Sequence, residues 1–259
     1  MKIRVEENWW QDLFDEIYLL TDARSVCNEE LTCREVDFIV KTFGTDKTSP
    51  ILDLCGGHGR HSLELSRRGF QNVTVLDYSE YLISLGKQKA GEENSNTRFI
   101  RGDARGTGLP AQSYGFVMIM ASSFGYFIDE NENRKILSEA YRLLMPGGIF
   151  FLDLPDRDFV LQNFKPFASR EVNKDITVTR ERELRDNIIY SREKVLSKKD
   201  GCIRDRTYCT RLYTPEKITE LMHSAGFSSV SCRSNFMNRS EQGDFGCMTN
   251  RIIIRAKRD

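Results

Sequence analysis

The chain of 259 residues lacks several features that would place it in other classes of protein. It has no apolar run near the roughly 20 residues of a membrane-spanning helix, and its N-terminus lacks the basic and apolar regions of a signal peptide. Its 38 basic residues balance 38 acidic ones, so no general attraction to nucleic acid or anionic lipid is expected. We therefore predict a cytoplasmic protein without a nucleic-acid or membrane partner.

The sequence also lacks a cysteine or histidine pattern typical of a metal site or a disulfide framework. The cysteines, which include no C-x-x-C pair, are Cys27, Cys33, Cys55, Cys202, Cys209, Cys232 and Cys247. A chain of this size needs no disulfide to hold its core, so we expect reduced thiols that pack against their neighbours. His58 and His61 have no third ligand at metal spacing, and no metal is predicted.

Hydrophobic periodicity predicts an alternation of helices and strands. Two helical patterns, at residues 9–20 and 32–40, precede the first strand. Strands are then predicted at 51–54, 73–77, 98–102, 116–120 and 149–154, with helices at 60–68, 81–89 and 131–144 between them. Pro146-Gly147-Gly148 is expected to end the last of these helices. This alternation predicts a parallel sheet with helices on both faces and a ligand site at the carboxyl ends of its strands.

The pattern changes after Pro155, where charged, half-apolar strands joined by turn residues favour an antiparallel meander. Its strands are predicted at 176–184, 188–196 and 202–213, before a helix at 215–225 and strands at 229–233 and 251–256. Basic and acidic residues are interleaved here, which predicts a solvated face of both signs; the basic ones are Arg180, Arg182, Arg185, Lys194, Lys198 and Lys199. We divide the chain into an N-terminal helical lid (1–45), a core (46–160 and 214–259) and an inserted substrate-side cover (161–213).

The most informative segment is ILDLCGGHGRHS at 51–62, in which an apolar strand opens into glycines and then a helix. Glycines allow a tight turn and close approach of a ligand to the backbone, and the free N–H groups of a helix N-terminus face the same place. A dinucleotide-binding G-x-G-x-x-G motif would need a third glycine where Ser62 stands. The segment therefore predicts a nucleotide-sized pocket of another kind.

Asp53, Cys55, Gly57 and Gly59 fit the pattern D-x-[GC]-x-G-x-G, which resembles motif I of the class I S-adenosylmethionine-dependent methyltransferases. The resemblance continues in VTVLDYS, FIRGDAR, FVMIMASSFGYF and YRLLMPGGIFFLDL, and covers roughly residues 32–160. It implies a Rossmann-like, seven-stranded, mostly parallel sheet with helices on both faces, to which the antiparallel meander is added. The implied cofactor is S-adenosylmethionine.

The resemblance also implies roles for individual residues. An acid at the end of strand two holds the ribose hydroxyls in this family, and Asp77 matches it; a carboxylate suits a diol because it accepts two hydrogen bonds. Asp103 matches the acid that contacts the adenine amino group, with the Ala104 backbone beside it. Arg60 is a candidate partner for the methionine carboxylate, and is equally compatible with an exposed first helical turn. The full predicted cofactor set is Asp53, Cys55, Gly57, Gly59, Arg60, Asp77, Tyr78, Asp103, Ala104 and Ala121.

Tyr126 lies where members of the resembled family place substrate-facing residues, and it is the predicted catalytic residue. The alternative is an aromatic side chain that only packs under the lid. The expected reaction is in-line transfer of a methyl group to nitrogen or oxygen of a small molecule. A dedicated base is not required, and Asp129, Tyr126 and His58 are the candidates if one is used. Trp9, Trp10, Phe14 and Tyr18 form an apolar stripe that more often packs in a core than lines a site. In the family that the chain resembles, however, N-terminal helices commonly cover the cofactor.

Two alternative functions remain open from the sequence. One is a methyltransferase acting on RNA or protein, and the other is a non-catalytic module that only binds the cofactor. The identity of the acceptor and the oligomeric state are not specified by the sequence.

Overall fold

The protein is described by a computed structural model that covers residues 2–44, 46–236 and 248–259, with the side chain of Asn235 left out. After a 3₁₀ turn at Trp9–Gln11, the helices are α1 (Glu16–Val26), α2 (Glu29–Phe43), α3 (Arg60–Arg67), α4 (Glu80–Glu92), α5 (Glu130–Leu143), α6 (Arg157–Gln162) and α7 (Pro215–Ser224). The strands are β1 (Ile51–Leu54), β2 (Val73–Asp77), β3 (Arg98–Arg101), β4 (Tyr114–Ile119), β5 (Leu144–Pro155), β6 (Phe167–Glu171), β7 (Ile176–Arg185), β8 (Ile188–Ser197), β9 (Gly201–Arg211), β10 (Ser229–Phe236) and β11 (Arg251–Lys257). Cys247 lies outside the described residues. None of the helices in these ranges is long and apolar enough to cross a membrane.

The main sheet has seven strands in the order β10-β11-β5-β4-β1-β2-β3. The first five strands of the chain pair in parallel, while β11 is antiparallel to both β5 and β10. Successive side chains of a strand point to opposite faces, so Ile51 joins one core layer with Val36 and Ile39 of α2. Leu52 joins the other layer with Leu137 of α5. The predicted Rossmann-like sheet with helices on both faces is confirmed.

A second sheet is formed by the inserted region, with the antiparallel order β6-β7-β8-β9. Ile176, Val178 and Val195 form an apolar cluster on this sheet, against which Ile17 and Leu20 of α1 pack. The predicted meander is therefore present, and its apolar patch is covered by the N-terminal helix. Strand β6 and helix α6 were not predicted; β6 is an edge strand whose residues are all at least partly exposed, so it has little apolar pattern.

The prediction of one helix over residues 9–20 is wrong. The Asp15 side chain accepts hydrogen bonds from the Ile17 and Tyr18 amides and caps a new helix there, because a capping carboxylate satisfies free amides at a helix start. The chain thus makes a short 3₁₀ turn at Trp9–Gln11 and then starts α1 at Glu16. This break separates the two tryptophans from the helix that follows them.

Two further boundaries differ from the prediction. Helix α2 starts at Glu29, three residues before Thr32, since the Asn28 side chain caps the Leu31 amide. Pro146–Gly148 does not separate a helix from a strand, because β5 already begins at Leu144 and pairs there with Tyr114 of β4.

Candidate functional site

The loop between β1 and α3 is shaped by glycine at three positions. Gly57 and Gly59 have φ values of 58° and 74°, in the left-handed region that glycine adopts without strain. A Cβ atom on Gly59 would lie 2.7 Å from the Phe99 ring, and one on Gly56 would lie 2.6 Å from Cγ of Asp53. The loop can therefore pack closely against β1 and β3 only with glycine at these places.

Three other residues at the carboxyl ends of β1 and β4 adopt left-handed backbone conformations although they are not glycine. These are Cys55 (φ 62°), Ala121 (φ 58°) and Ser122 (φ 59°). Each costs of order 1–3 kcal/mol, and such residues cluster at functional sites. All three line cavities at this edge of the sheet.

The first cavity, which we name the glycine-loop cavity, brings together six of the predicted cofactor residues. They are Cys55, Gly57, Asp77, Tyr78, Asp103 and Ala104. The Asp77 carboxylate accepts hydrogen bonds from the Gly57 amide at 2.8 Å and the Ser79 amide at 2.9 Å. Burial raises the pKa of Asp77. The acid of strand two is thus tied directly to the glycine loop of strand one.

Asp103, which also lines this cavity, forms an ion pair with Arg105 at 2.6 Å. Burial alone would raise the pKa of Asp103, but hydrogen bonds from Arg105 lower it, so the group is a carboxylate. The Arg105 guanidinium also lies 5.0 Å from the Trp10 ring and 4.6 Å from the Phe127 ring. The sequence did not identify Arg105 or Phe127 as parts of the site.

A smaller cavity beside the first, the junction pocket, is lined by Asp53 and Arg60. Asp53 is fully buried; Oδ2 accepts a hydrogen bond from Ser62 at 2.8 Å, while Oδ1 has no hydrogen-bond partner among the described residues. Arg60 pairs with Glu35 at 2.5 Å and donates to Thr32 at 2.8 Å, and its Nη2 has no hydrogen-bond partner in the described part of the chain. The Arg60 side chain is only 9% exposed, which excludes the alternative that it is an exposed arginine of the first helical turn.

These two unpartnered atoms match the methionine end of S-adenosylmethionine. A buried carboxylate oxygen suits an ammonium group, and a guanidinium nitrogen suits a carboxylate. Asp77, in the adjoining cavity, has the acceptor chemistry that a ribose diol requires. The residues present therefore fit the cofactor, although these roles remain predictions for each residue.

Both histidines of the loop are buried and neutral. Burial lowers the pKa of His58 to about 3 and that of His61 to about 4. His61 lies 2.8 Å from Glu35, and His58 lines the junction pocket. His223 is exposed, and its Nδ1 lies 2.9 Å from the carbonyl oxygen of Phe227.

The third cavity, the meander cavity, has a volume of about 280 Å³ and lies between the N-terminal segment and the second sheet. Its lining includes Trp9, Arg180, Glu193, Arg204 and Tyr208. Arg180, Glu193 and Arg204 are all buried. The predicted solvated face is thus wrong for Arg180, whose long side chain points toward the cavity; Lys198 and Lys199 are exposed as expected.

Aromatic residues form the wall between the cavities. Phe14, Tyr18 and Tyr126 line both the glycine-loop cavity and the meander cavity. The Tyr126 ring stacks on Phe14 at 5.6 Å and meets Trp9 edge-on at 5.2 Å. The predicted catalytic residue thus stands at the boundary between the cavity that holds the predicted cofactor residues and the one beside it.

The two adjacent tryptophans face different cavities. Trp9 lines the meander cavity, whereas Trp10 lines the glycine-loop cavity and meets the Tyr78 ring edge-on at 4.6 Å. Of the two interpretations of this aromatic stripe, the structure favours the one in which it covers a cavity, since all four residues line one of the two cavities or both.

Asp129, a candidate base from the sequence, caps α5 by accepting a hydrogen bond from the Asn131 amide at 2.9 Å. It is not among the residues that line the three cavities. Its carboxylate is explained by the helix cap. Tyr126 and His58 therefore remain the candidates that line a cavity.

Sequence comparison matches residues 51–148 to the family described as "Methyltransferase domain". A similar protein is the glycine/sarcosine N-methyltransferase of Aphanothece halophytica, 26% identical over 220 residues, which are 81% of this chain and 78% of that protein. The matched region includes the glycine loop, Asp77 and Asp103.

Solved structures share the fold. A S-adenosylmethionine-dependent methyltransferase from Clostridium acetobutylicum superposes with a TM-score of 0.70 at 17% identity, over 88% of this chain and 92% of that one. S-adenosylmethionine-bound CalS10, an amino pentose methyltransferase from Micromonospora echinaspora, gives a TM-score of 0.65 at 18% identity over 96% and 99%. The chain thus carries a match to the methyltransferase domain over residues 51–148 and has the fold of solved S-adenosylmethionine-dependent methyltransferases.

Proposed function

We propose that this methyltransferase transfers the methyl group to an amine of a small molecule held in the meander cavity. The observation that carries the proposal is the wall of Phe14, Tyr18 and Tyr126, which the meander cavity shares with the glycine-loop cavity. A volume of about 280 Å³ lies near the lower end of the roughly 300–1,000 Å³ typical of small-molecule sites. A small acceptor in this cavity would meet the cofactor at the shared wall.

Aromatic rings at the wall favour nitrogen over oxygen as the nucleophile. The Trp9 ring centroid lies 5.9 Å from that of Tyr208 and 5.2 Å from that of Tyr126, and all three residues line the cavity, so several aromatic rings are grouped in its wall. An amine gains positive charge as it is methylated, and aromatic faces stabilise a cation by about 0.5–2 kcal/mol. The similar protein from Aphanothece halophytica, a glycine/sarcosine N-methyltransferase, also acts on nitrogen.

We propose that the cofactor is held by the ten predicted residues. Asp77 would accept hydrogen bonds from the ribose hydroxyls, and Asp103 with the Ala104 backbone would contact the adenine. Asp53 and Arg60 would hold the ammonium and carboxylate of the methionine end, because each has an unpartnered buried atom in the junction pocket. Cys55, Gly57, Gly59, Tyr78 and Ala121 would shape the surface around them.

Bound S-adenosylmethionine supplies an electrophilic methyl group. The chain's own task is to hold the acceptor nitrogen in line with that group, roughly 3–3.5 Å away, and to exclude water. Tyr126 would orient the nitrogen from the shared wall. The acceptor would react as the free amine, which has already lost its ammonium proton to solvent before the cover closes, so no dedicated base is needed.

The N-terminal segment and the second sheet would together cover the site, as the predicted lid and insertion. Arg180 pairs with Asp22 at 2.7 Å, and the Glu183 carboxylate accepts a hydrogen bond from the Ile3 amide at 3.1 Å, so the two parts contact each other at two places. This arrangement supports a water-excluding cover over the acceptor.

Isothermal titration with S-adenosylhomocysteine and a methyl-transfer screen test the proposal. Asp77→Asn should weaken binding about 10- to 100-fold, since it removes a charged hydrogen-bond acceptor, whereas the exposed Glu80→Gln should not. In the screen, matched small amines, phenols and alcohols are compared. Methylation of phenols or alcohols in preference to every amine would contradict the choice of nitrogen.

A further inference from the structure

We infer that the acceptor carries a carboxylate and that Arg204, in the wall of the meander cavity, binds it. The inference rests on the proposed function, because it concerns the acceptor of the same site. Arg204 is buried, with a side chain only 4% exposed, and it lines the cavity. Its Nη1 atom has no hydrogen-bond partner among the described residues.

The internal partners of Arg204 leave that nitrogen unsatisfied. Its Nη2 pairs with Asp15, the cap of α1. The nearest acid to Nη1 is Glu193, whose Oε1 lies 3.5 Å away, beyond a good hydrogen bond to a charged donor. The other oxygen of Glu193 accepts from Arg180 at 2.8 Å. A buried guanidinium nitrogen without a partner is costly, so an oxygen atom from a ligand is expected there.

The charge of the cavity wall favours an anionic ligand over a neutral one. Among the described lining residues, the basic side chains are Lys165, Arg180, Arg182 and Arg204, and the acidic ones are Asp22 and Glu193. Arg180 engages both acids, through Asp22 at 2.7 Å and Glu193 at 2.7 Å. The lining thus has more positive than negative charge, and a carboxylate would reduce that excess.

The position of these charges in the second sheet supports a ligand rather than a purely structural role. Val178 and Val195 lie in the apolar cluster under α1, and Val195 is directly opposite Arg204 in the β8–β9 ladder. The side chains on this part of the second sheet change from apolar to charged where the meander cavity begins. Burying charged groups is expensive, and apolar residues of similar size would often stabilise the sheet at least as well. Their presence at the cavity is explained by recognition of a charged acceptor.

The acceptor class that follows is a small amine with a carboxylate. Its carboxylate would accept hydrogen bonds from Arg204, and its amine would lie toward Tyr126 at the shared wall. Phe159 and Phe164, which also line the cavity, offer an apolar surface for the rest of the molecule. A guanidinium pairs with a carboxylate through two parallel hydrogen bonds, so this contact fixes orientation as well as affinity.

A methyl-transfer screen over matched triads tests the inference. Each triad contains an amino acid, its amide and the corresponding decarboxylated amine, so that only the carboxylate changes. We expect at least one amino acid to be methylated with kcat/KM about 10- to 100-fold above its amide and amine. Arg204→Gln should raise KM for that amino acid and remove most of its advantage over the amide. Arg204→Lys, which keeps the charge, should retain part of it.

The matched control is Arg206→Gln on the same strand, because Arg206 is exposed and does not line the meander cavity. S-adenosylhomocysteine binding and the melting temperature are measured for every variant, since Arg204 also pairs with Asp15. A ratio of amino acid to amide that is unchanged in folded Arg204→Gln overturns the inference. The inference is also overturned if the wild type binds S-adenosylhomocysteine but methylates none of the amino acids in the screen. Absence of S-adenosylhomocysteine binding by the wild type would instead contradict the proposed function.

Discussion

Arg251 on β11 forms a fully buried ion pair with Glu35 on α2, across 216 positions of sequence. The same guanidinium also pairs with Asp153 of β5, whose carboxylate accepts a hydrogen bond from the Ala121 amide at 2.8 Å. Glu35 in turn contacts Arg60 of the glycine-loop helix. One buried network therefore connects α2, the centre of the sheet and the turns that follow β1 and β4.

We predict that Glu35→Gln lowers the free energy of unfolding by about 3–5 kcal/mol, because it leaves buried arginines without their counter-charge. Burial alone would raise the pKa of Glu35, but Arg60 and Arg251 hold it well below its usual value, so the group is ionised at neutral pH. Urea unfolding at pH 7 measures the change. The exposed Arg192–Asp205 pair offers a control, since Arg192→Gln should have little effect. Equal effects of the two substitutions would contradict a structural role for the network.

A second prediction concerns the two tryptophans of the chain. Ligand binding in the glycine-loop cavity should change the fluorescence of Trp10, because its ring lines that cavity beside Tyr78 and Arg105. Titration with S-adenosylhomocysteine is expected to give a fluorescence change that Trp9→Phe largely retains and Trp10→Phe abolishes. The reverse result would show that the N-terminal segment is not positioned over the cofactor as described here.

The clustering of the predicted cofactor residues at one edge of the sheet could be predicted because it follows from local rules. Asp53, Asp77 and Asp103 each stand at or just after the end of a short strand, and parallel strands bring their carboxyl ends to one edge. The glycines of the loop predict the tight turn between β1 and α3. Element types and order could therefore be inferred from periodicity, and the structure confirms the seven-stranded sheet.

The buried charges of the meander cavity could not be predicted from the same rules. Arg180 and Arg204 are separated by a strand and two turns, and interleaved charges in a meander usually indicate solvent. Their burial depends on α1 covering the second sheet, a contact between segments more than 150 positions apart. The tryptophans were missed for a related reason, since Asp15 fits a helix interior by spacing but caps a new helix in the fold.

A third prediction follows from Asp53. Burial raises its pKa from 3.8 to about 7, despite hydrogen bonding by Ser62 and the charge of Arg60. Between these two pH values the folded protein holds a proton that the unfolded chain has lost, so this group's contribution to stability falls as the pH rises. The free-energy difference between Asp53→Asn and the wild type should therefore shift in favour of the variant by up to about 4 kcal/mol from pH 4 to pH 8. Asp186→Asn, at an exposed turn, should show no comparable trend.

The same proton gives a fourth prediction, for ligand binding. The ammonium of S-adenosylhomocysteine would favour the ionised form of Asp53, so binding should release a proton wherever free Asp53 is protonated. Affinity should then increase as the pH rises toward about 7 and level off above it, with the pKa of Asp53 in the free protein setting the limit. Calorimetry in two buffers of different ionisation enthalpy measures the released proton directly. Asp53→Asn should bind more weakly, because it lacks the charge, and its affinity should lose this part of the pH dependence. If the wild type releases no proton on binding at pH 6, or the variant releases as much, the ammonium is held by another group.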